Sequence, residues 1–497
     1  MSLIEEKIFE HAARTPEKTA CVFPHGAGVS CAALASGIAA AADFFRQTFP
    51  RGEARVLLSA EKTPEFLCAY FGAHCAGTVA VPVDPETNAA RLAAIAEAVH
   101  ADAFCGNFAA APDALSDKID RLALPAVAVA PAENFSGNAL QQKIPAFPPP
   151  ERLADIVFTT GTTSAPKGVC LTHGNLAAAA SAINTFTGTC AADTEVVALP
   201  ICHSFGLGRV RCLLSLGATA VFVNGFAAVK KLFRALGESR ATGFAFVPAA
   251  WAYLRKMSGE KLGQFAGTLR YLEIGSAPMP IEDKRLLMRL FPNTRICMHY
   301  GLTEASRSTF LEFHENADRL DTVGRASPGA EIEIFDAAGT RLPAGQEGEI
   351  CVRGAHVMRG YLNPPSGEPT FFGERFFRTG DLGKKCEDGF VVLTGRLKEI
   401  VNVGGKKVSP QEVEDVLNTF PEIAESACVG VRDESGVLGE QLKACLVPAD
   451  GAEIPPPEIL RERLAARLEA YKIPAIFERV PAIPKTASGK LQRGKLK

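Results

Sequence analysis

Short apolar runs with the length of buried strands recur along this chain, and helix-like stretches lie between them. Arg55 to Ala60, Gly77 to Val83, Val196 to Pro200, Thr219 to Val223, Thr242 to Val247 and Leu269 to Ile274 read as strands. Pro64 to Ala76, Ala227 to Leu236 and Ile281 to Leu290 read as helices, and residues 1 to about 20 as an amphipathic helix. Parallel strands cannot be joined by a tight turn, so this alternation predicts α/β architecture: parallel sheets with crossover helices. At 497 residues the chain outgrows a single core, and two or more domains are expected.

The texture changes after Thr322. Gly329 to Gly354 is short, alternating and punctuated by glycine, which predicts antiparallel hairpins or a small β-barrel-like subdomain. From Pro410 onward an amphipathic helix, strand-like Ala427 to Val431 and Leu442 to Val447, and a helix from Glu458 to Ala470 predict a separate small α+β unit. A boundary at Gly395 to Lys398 divides the chain into a large domain over 1–395, a hinge at 396–398 and a small domain over 399–497.

Charge is nearly balanced, with 53 Lys and Arg against 55 Asp and Glu, so neither nucleic acid nor an acidic membrane surface is expected as a partner. The 14 cysteines are scattered without CxxC pairs, which reads as reduced thiols rather than a disulfide framework or a zinc site. The N-terminus has no apolar core of a secretory signal, and apolar windows such as Thr242 to Leu254 are too short to span a bilayer. The expectation is a soluble cytoplasmic protein with no integral membrane segment.

One stretch raises a chemical question. Thr159 to Gly168, TTGTTSAPKG, follows a mostly apolar run and is rich in glycine, threonine and serine. Small residues leave backbone N–H groups free to face an anion, hydroxyls add donors, and Lys167 adds a positive charge. The P-loop pattern GxxxxGK[ST] fails here, because Pro166 stands where the second glycine belongs. Taken alone, the stretch fits a phosphate cradle of another kind or a solvated loop before a helix.

Further motifs follow in order: HSFG at 203–206, GSAP at 275–278, YGLTE at 300–304, RTGD at 378–381, GRLKEIVNVGGKKVSP at 395–410 and PKTASGKLQR at 484–493. With FTTGTTSAPKGV at 158–169, they resemble the adenylate-forming superfamily of acyl- and aryl-CoA synthetases, peptide-synthetase adenylation domains and luciferases. The resemblance spans essentially the whole chain. It implies a two-step reaction in which a carboxylic acid attacks the α-phosphate of ATP, and a thiol then displaces AMP.

The same resemblance implies roles. Thr159, Thr160, Gly161, Thr162, Thr163 and Lys167 would hold the β- and γ-phosphates, and Gly275, Ser276 and Ala277 would lie along adenine. Tyr300 would stack on the base, Thr303 would contact phosphate, and Glu304 would hold Mg²⁺, a hard cation that takes oxygen ligands. Asp381 would accept both ribose hydroxyls, with Arg396 on the ribose or α-phosphate side. Lys490 would reach the α-phosphate and the substrate carboxylate. Lys398 would be the hinge about which the small domain turns after adenylation, presenting Gly404 and Gly405 to a pantetheine arm. His203 would gate the thiol tunnel. Seven Lys and Arg between Lys472 and Lys497 face one acid, Glu478, and Arg493, Lys495 and Lys497 read as a plain basic tail.

Substrate and acceptor are narrowed further. Peptide-synthetase adenylation domains usually place an Asp near the HSFG segment to pair with an amino acid's ammonium, and LPICHSFGLGR has none, so the resemblance disfavours an α-amino acid. No spare segment lies between Glu304 and Asp381 of the kind that marks ligases sparing coenzyme A, so a thiol acceptor is expected: coenzyme A or the phosphopantetheine of an acyl carrier protein. His299 stands where the family often has a small residue. Alternation along an extended segment turns it away from the Tyr300 side, toward what in the family is the acyl pocket. That predicts a short, aromatic or polar-substituted acid; the alternative is a histidine packed under the sheet.

Overall fold

The structure, a computed structural model, describes the whole chain apart from residues 1, 25, 27, 111–114, 116–118, 124–145, 160–166, 365–368, 404–405, 434–439 and 486–490, and apart from the side chains of Lys398 and Lys407. The described residues pack as two compact units, Met1–Glu331 with Val352–Phe371, and Ile332–Cys351 with Phe372–Lys497.

Two sheets organise the first unit. In the nine-stranded sheet, Thr19–Val22, Thr219–Phe222, Thr194–Val197, Gly243–Phe246, Tyr271–Ile274 and Arg295–Tyr300 run parallel side by side. Its margins are antiparallel: Gly28–Ser30 on one side, Thr309–Glu312 and Arg325–Ala326 on the other. The seven-stranded sheet is parallel from Leu153–Thr159 through Val79–Val83, Arg55–Ser59 and Ala103–Cys105 to Asp120–Leu122. Lys167–Thr172 and Gly360–Tyr361 close it as antiparallel strands. The expected parallel sheets are thus present, and antiparallel margins join them.

Local chemistry explains the helices between. Pro64–Ala76 starts where the Thr63 side chain accepts from the Phe66 amide and Pro64 takes the first position; it stops at Gly77, with φ 72°. Gly72 lets it touch Cys31–Thr48, since a Cβ there would lie 2.5 Å from that of Ala41. The first helix is shorter than expected, Ile4–Arg14, because Pro16 drives Thr15 out of the helical region.

Beneath these helices lies a charged cluster in the core. His74 sets Nδ1 2.6 Å from Glu5 Oε1 and Nε2 2.8 Å from Asp155 Oδ1. Asp155 also accepts from Tyr70 Oη and Arg211 Nη2, each at 2.8 Å. Burial alone would strip the His74 proton, but Asp155 and Glu5 outweigh it and hold its pKa at about 9. A carboxylate on each ring nitrogen is satisfied by an imidazolium, which leaves no lone pair for a metal ion, although His173 Nδ1 stands only 3.9 Å from Glu5.

In the second unit, Phe376–Lys385 and Val391–Arg396 pair antiparallel in a five-stranded sheet that also takes Ala330–Phe335, Glu347–Gly354 and Phe371–Phe372. A three-stranded sheet follows, with Ile423–Arg432 antiparallel and Ile476–Arg479 parallel to Glu440–Pro448. The α-helix Pro457–Ala465 stops five residues short of the expected Ala470. Arg493 is not a loose basic residue: its guanidinium is paired with Glu399 at 2.8 Å and with Glu414, and donates to the Cys428 carbonyl at 2.7 Å.

No helix among the described residues is long and apolar enough to cross a membrane.

Candidate active site

The glycine- and threonine-rich loop joins two antiparallel strands rather than a strand and a helix. Thr159 and Lys167 face each other as the last pair of the Leu153–Thr159 and Lys167–Thr172 hairpin. Its ends are therefore pinned by the ladder, and Arg91 Nη2 donates to the Thr159 carbonyl at 3.2 Å. Thr160, Gly161, Thr162 and Thr163 lie outside the described residues.

Lys167 leads to Glu304 through a residue the sequence did not flag. Its Nζ is 5.6 Å from the centre of the Tyr361 ring, and Tyr361 Oη donates to Glu304 Oε1 at 2.7 Å. Burial, reinforced by the neighbouring Glu304 charge, pushes the Tyr361 phenol far up, so it stays a donor. The Glu304 segment is held from the same side, where the Met358 amide donates to the Glu304 carbonyl at 2.8 Å. No spacing rule links Tyr361 to Glu304: they meet through the antiparallel bridge between Ala305 and Val357 and the strand pairing of Gly360–Tyr361 with Lys167–Thr172.

Thr303 Oγ1 lies 3.4 Å from Ser204 Oγ, which joins YGLTE to the start of the helix Ser204–Leu214. His203 is the N-cap residue of that helix, extended at φ −113° and ψ 152°. Tyr300 ends the strand Arg295–Tyr300, opposite Thr309. Gly275, Ser276 and Ala277 follow the neighbouring strand Tyr271–Ile274, and Ser276 has φ 75°. His203, Ser204, Tyr300 to Glu304 and Gly275 to Ala277 thus cluster where parallel strands end, the usual place for a ligand crevice in open α/β sheets.

His299 packs into this cluster from below. Its ring lies against Gly275, where a Cβ would come within 2.1 Å of Nε2, so glycine alone fits there. Nδ1 is 2.9 Å from Glu273 Oε1, and the ring meets Phe205 edge-on with centroids 4.7 Å apart. Burial pushes the imidazole toward neutrality, against the pull of Glu273 and with the push of Arg307 and Arg209. Glu273 itself is held below the usual carboxylate range: Arg307 and Arg209 overcome the cost of its burial. Arg209 also pairs with Glu195, completing a buried set of two arginines and two glutamates.

Within the second unit Asp381 and Arg396 stand directly opposite on paired strands, with Arg396 Nε 2.8 Å from Asp381 Oδ1. Asp381 is buried inside the strand Phe376–Lys385 rather than in a turn, and its amide donates to Thr379 Oγ1 at 3.0 Å. Lys398 lies in the short turn Leu397–Glu399. Gly404, Gly405 and Lys490 lie outside the described residues.

Comparison with known proteins shows the family. The model of the AMP-binding enzyme family matches residues 8–362, and that of the AMP-binding enzyme C-terminal domain matches residues 412–490. The chain belongs to the AMP-binding enzymes. Relatives of this AMP-binding enzyme include a probable CoA ligase, CCL9, of Humulus lupulus, 32% identical over 349 residues that cover 69% of this chain and 65% of that protein. Feruloyl-CoA synthase of an Amycolatopsis species is 32% identical over 348 residues, 69% of each. Among solved structures, ATP-bound MatB from Rhodopseudomonas palustris superposes with a TM-score of 0.86 at 27% identity, over 99% of this chain and 97% of that one. The first of these matches thus spans a little under two thirds of its relative's length.

Proposed function

We propose that this AMP-binding enzyme is an AMP-forming acid–thiol ligase. It activates a carboxylic acid as acyl-AMP with release of pyrophosphate, then passes the acyl group to a pantetheine thiol, with coenzyme A favoured over a carrier-protein arm. The observation that carries the reading is the joining of Lys167 to Glu304 through Tyr361, beside the Thr303–Ser204 contact. A cation at a phosphate loop, a buried carboxylate and two hydroxyls make a set of groups suited to the charge of a nucleoside triphosphate.

The roles divide accordingly. Lys167 and the loop from Thr159 hold the outer phosphates, Tyr300 and Gly275 to Ala277 take the base, and Asp381 with Arg396 takes the ribose. Glu304 suits Mg²⁺: its carboxylate is a hard oxygen donor, and Tyr361 occupies one oxygen as a neutral hydroxyl rather than as a competing cation. Mg²⁺ bound there supplies charge neutralisation at the phosphates. Lys490 approaches the α-phosphate during adenylation, the domains 1–395 and 399–497 turn about Lys398, and Gly404 and Gly405 then face the thiol past His203. The substrate is a short, aromatic or polar-substituted acid, with His299 at the pocket.

The test is pyrophosphate exchange into ATP across a panel of carboxylic acids with Mg²⁺, followed by AMP release on adding coenzyme A or a pantetheinylated carrier protein. Exchange with one class of acid and AMP release are expected. ADP with orthophosphate as products would sink the reading.

A further inference from the structure

Arg307 is buried at 2% exposure and has φ 55°, a backbone conformation that side-chain-bearing residues rarely adopt. A glycine would sit there without strain, so an arginine needs its side-chain contacts to offset the cost. Those contacts are numerous. Nε donates to Glu273 Oε1 at 2.9 Å, Nη1 to the Ser204 carbonyl at 3.1 Å and to Ser306 Oγ at 3.0 Å, and Nη2 to the Phe205 carbonyl at 3.1 Å. The guanidinium carbon also lies 4.7 Å from the centre of the Phe205 ring.

The surroundings are shaped for this side chain. A Cβ on Gly208, one turn into the helix Ser204–Leu214, would fall 2.6 Å from Arg307 Nη1. A Cβ on Gly301, in the YGLTE turn, would fall 2.4 Å from the Arg307 amide nitrogen. Two glycines therefore clear the path of one arginine. The three segments it reaches each carry candidate site residues: Glu273 two positions before Gly275, Ser204 next to His203, and its own segment just after Thr303 and Glu304.

We propose that Arg307 is a positioning residue for adenylation: its guanidinium fixes the GSAP, HSFG and YGLTE segments relative to one another, so that the groups that touch ATP are set before it binds. The inference rests on the adenylation reading above. A planar fork with fixed donor directions can bridge a carboxylate and two carbonyls at once, whereas a lysine ammonium meets such a set only as a point charge. Arg307 donates to the carbonyls of the first helical turn, which leaves the Ser204 hydroxyl directed at Thr303.

The decisive variant is Arg307→Gly, which suits the backbone angle and opens a guanidinium-sized space. Pyrophosphate exchange is measured with the full chain and the best acid, with and without guanidinium ion at a few millimolar, together with the melting temperature. The expected result is a loss in kcat on the order of 10²-fold, as for misplacement of reacting groups by about an ångström, with a smaller change in KM for ATP. Added guanidinium restores at least tenfold, and Arg307→Lys does not recover the activity. Gly208→Ala is the second variant: it keeps the arginine, favours the helix, and displaces the guanidinium, so it reproduces the kcat defect in a folded protein. Wild-type kcat in a folded Arg307→Gly or Gly208→Ala protein would overturn the proposal, as would a loss that guanidinium leaves untouched. Absence of exchange in the wild-type chain with every acid would instead remove the adenylation reading itself.

Discussion

Among the described residues, two buried ionic clusters of the first unit are built on opposite principles. Around His74 the cations are one histidine and Arg211, set among Glu5 and Asp155. Around Glu273 the cations are two arginines, and the neighbouring histidine, His299, is driven toward neutrality. One cluster depends on a proton, whereas the other is fixed by guanidinium groups that do not titrate. The fixed cluster lies under the candidate site, whereas the proton-dependent one joins the helices of Glu5, His74 and Arg211 to Asp155 in the strand Leu153–Thr159. An active site that must bind charged phosphates over a range of pH gains from a floor whose charge does not change.

The largest expected effect breaks the fixed cluster. Glu273→Gln leaves Arg209 and Arg307 facing each other without their shared carboxylate. Breaking a buried pair by removing one partner costs roughly 3–5 kcal/mol. Urea denaturation at neutral pH should show a loss of that size, and a loss below about 1 kcal/mol would mean that solvent reaches the arginines.

The proton-dependent cluster gives a smaller effect with a defined sign. The His74 pKa of about 9 stands above the ordinary 6.5, so its stabilisation is complete below 6.5 and is lost as pH rises through about 9. A shift of that size corresponds to about 3 kcal/mol. Asp155 and Glu5 set it against burial, while Tyr70 and His173 pack on the ring and Arg211 pairs with Asp155. Denaturation midpoints measured from pH 6.5 to 9.5 should fall more steeply for the wild type than for His74→Gln. Parallel curves would mean that His74 is neutral in the folded chain and that the two clusters do not differ as described.

The acid side reverses the sign. His299 has its proton affinity lowered by burial, as do His173 and His356, the last to about 4. A histidine kept neutral in the fold costs stability as pH falls below its ordinary value, because the unfolded chain takes the proton first. His299→Gln should therefore flatten the acid limb in part, leaving the contributions of His173 and His356. An acid limb identical to wild type would indicate that Glu273 holds His299 charged.

These clusters also mark where the sequence stopped being informative. The helices Pro64–Ala76 and Ile281–Leu290 were legible to the residue, since caps, prolines and glycines act locally. The motif residues were legible because the resemblance supplied them in order. Tyr361, Arg307 and Glu273 were not, because their partners lie far along the chain and meet only through sheet pairing and helix packing: Tyr361 and Glu304 are 57 positions apart, and Arg307 and Ser204 are 103. The hairpin around the phosphate loop was hidden for the same reason, as a strand run before a loop does not say whether a strand or a helix comes after. Pro64 to Ala76 read as a largely apolar helix, which gave no sign that its histidine would join a charged network.

The smallest effect tests which side of the fixed cluster faces substrate. His299 fills the space between Gly275 and the edge of Phe205, and its Nδ1 is one of several groups beside Glu273. Arg307 and Arg209 would still compensate that carboxylate after His299→Gly, so the cluster should persist while the ring's volume is vacated. If the vacated space is continuous with the acyl pocket, longer acids gain at most about 1 kcal/mol per added buried methylene, roughly fivefold in kcat/KM. The measurement is kcat/KM for a series of straight-chain acids in wild type and variant, alongside a melting curve to show that the floor is intact. A profile that moves toward longer acids makes His299 a wall of the pocket. An unmoved profile in a folded variant makes it a packing residue between the arginine cluster and the GSAP turn, and the preference for a short or polar acid then loses its basis.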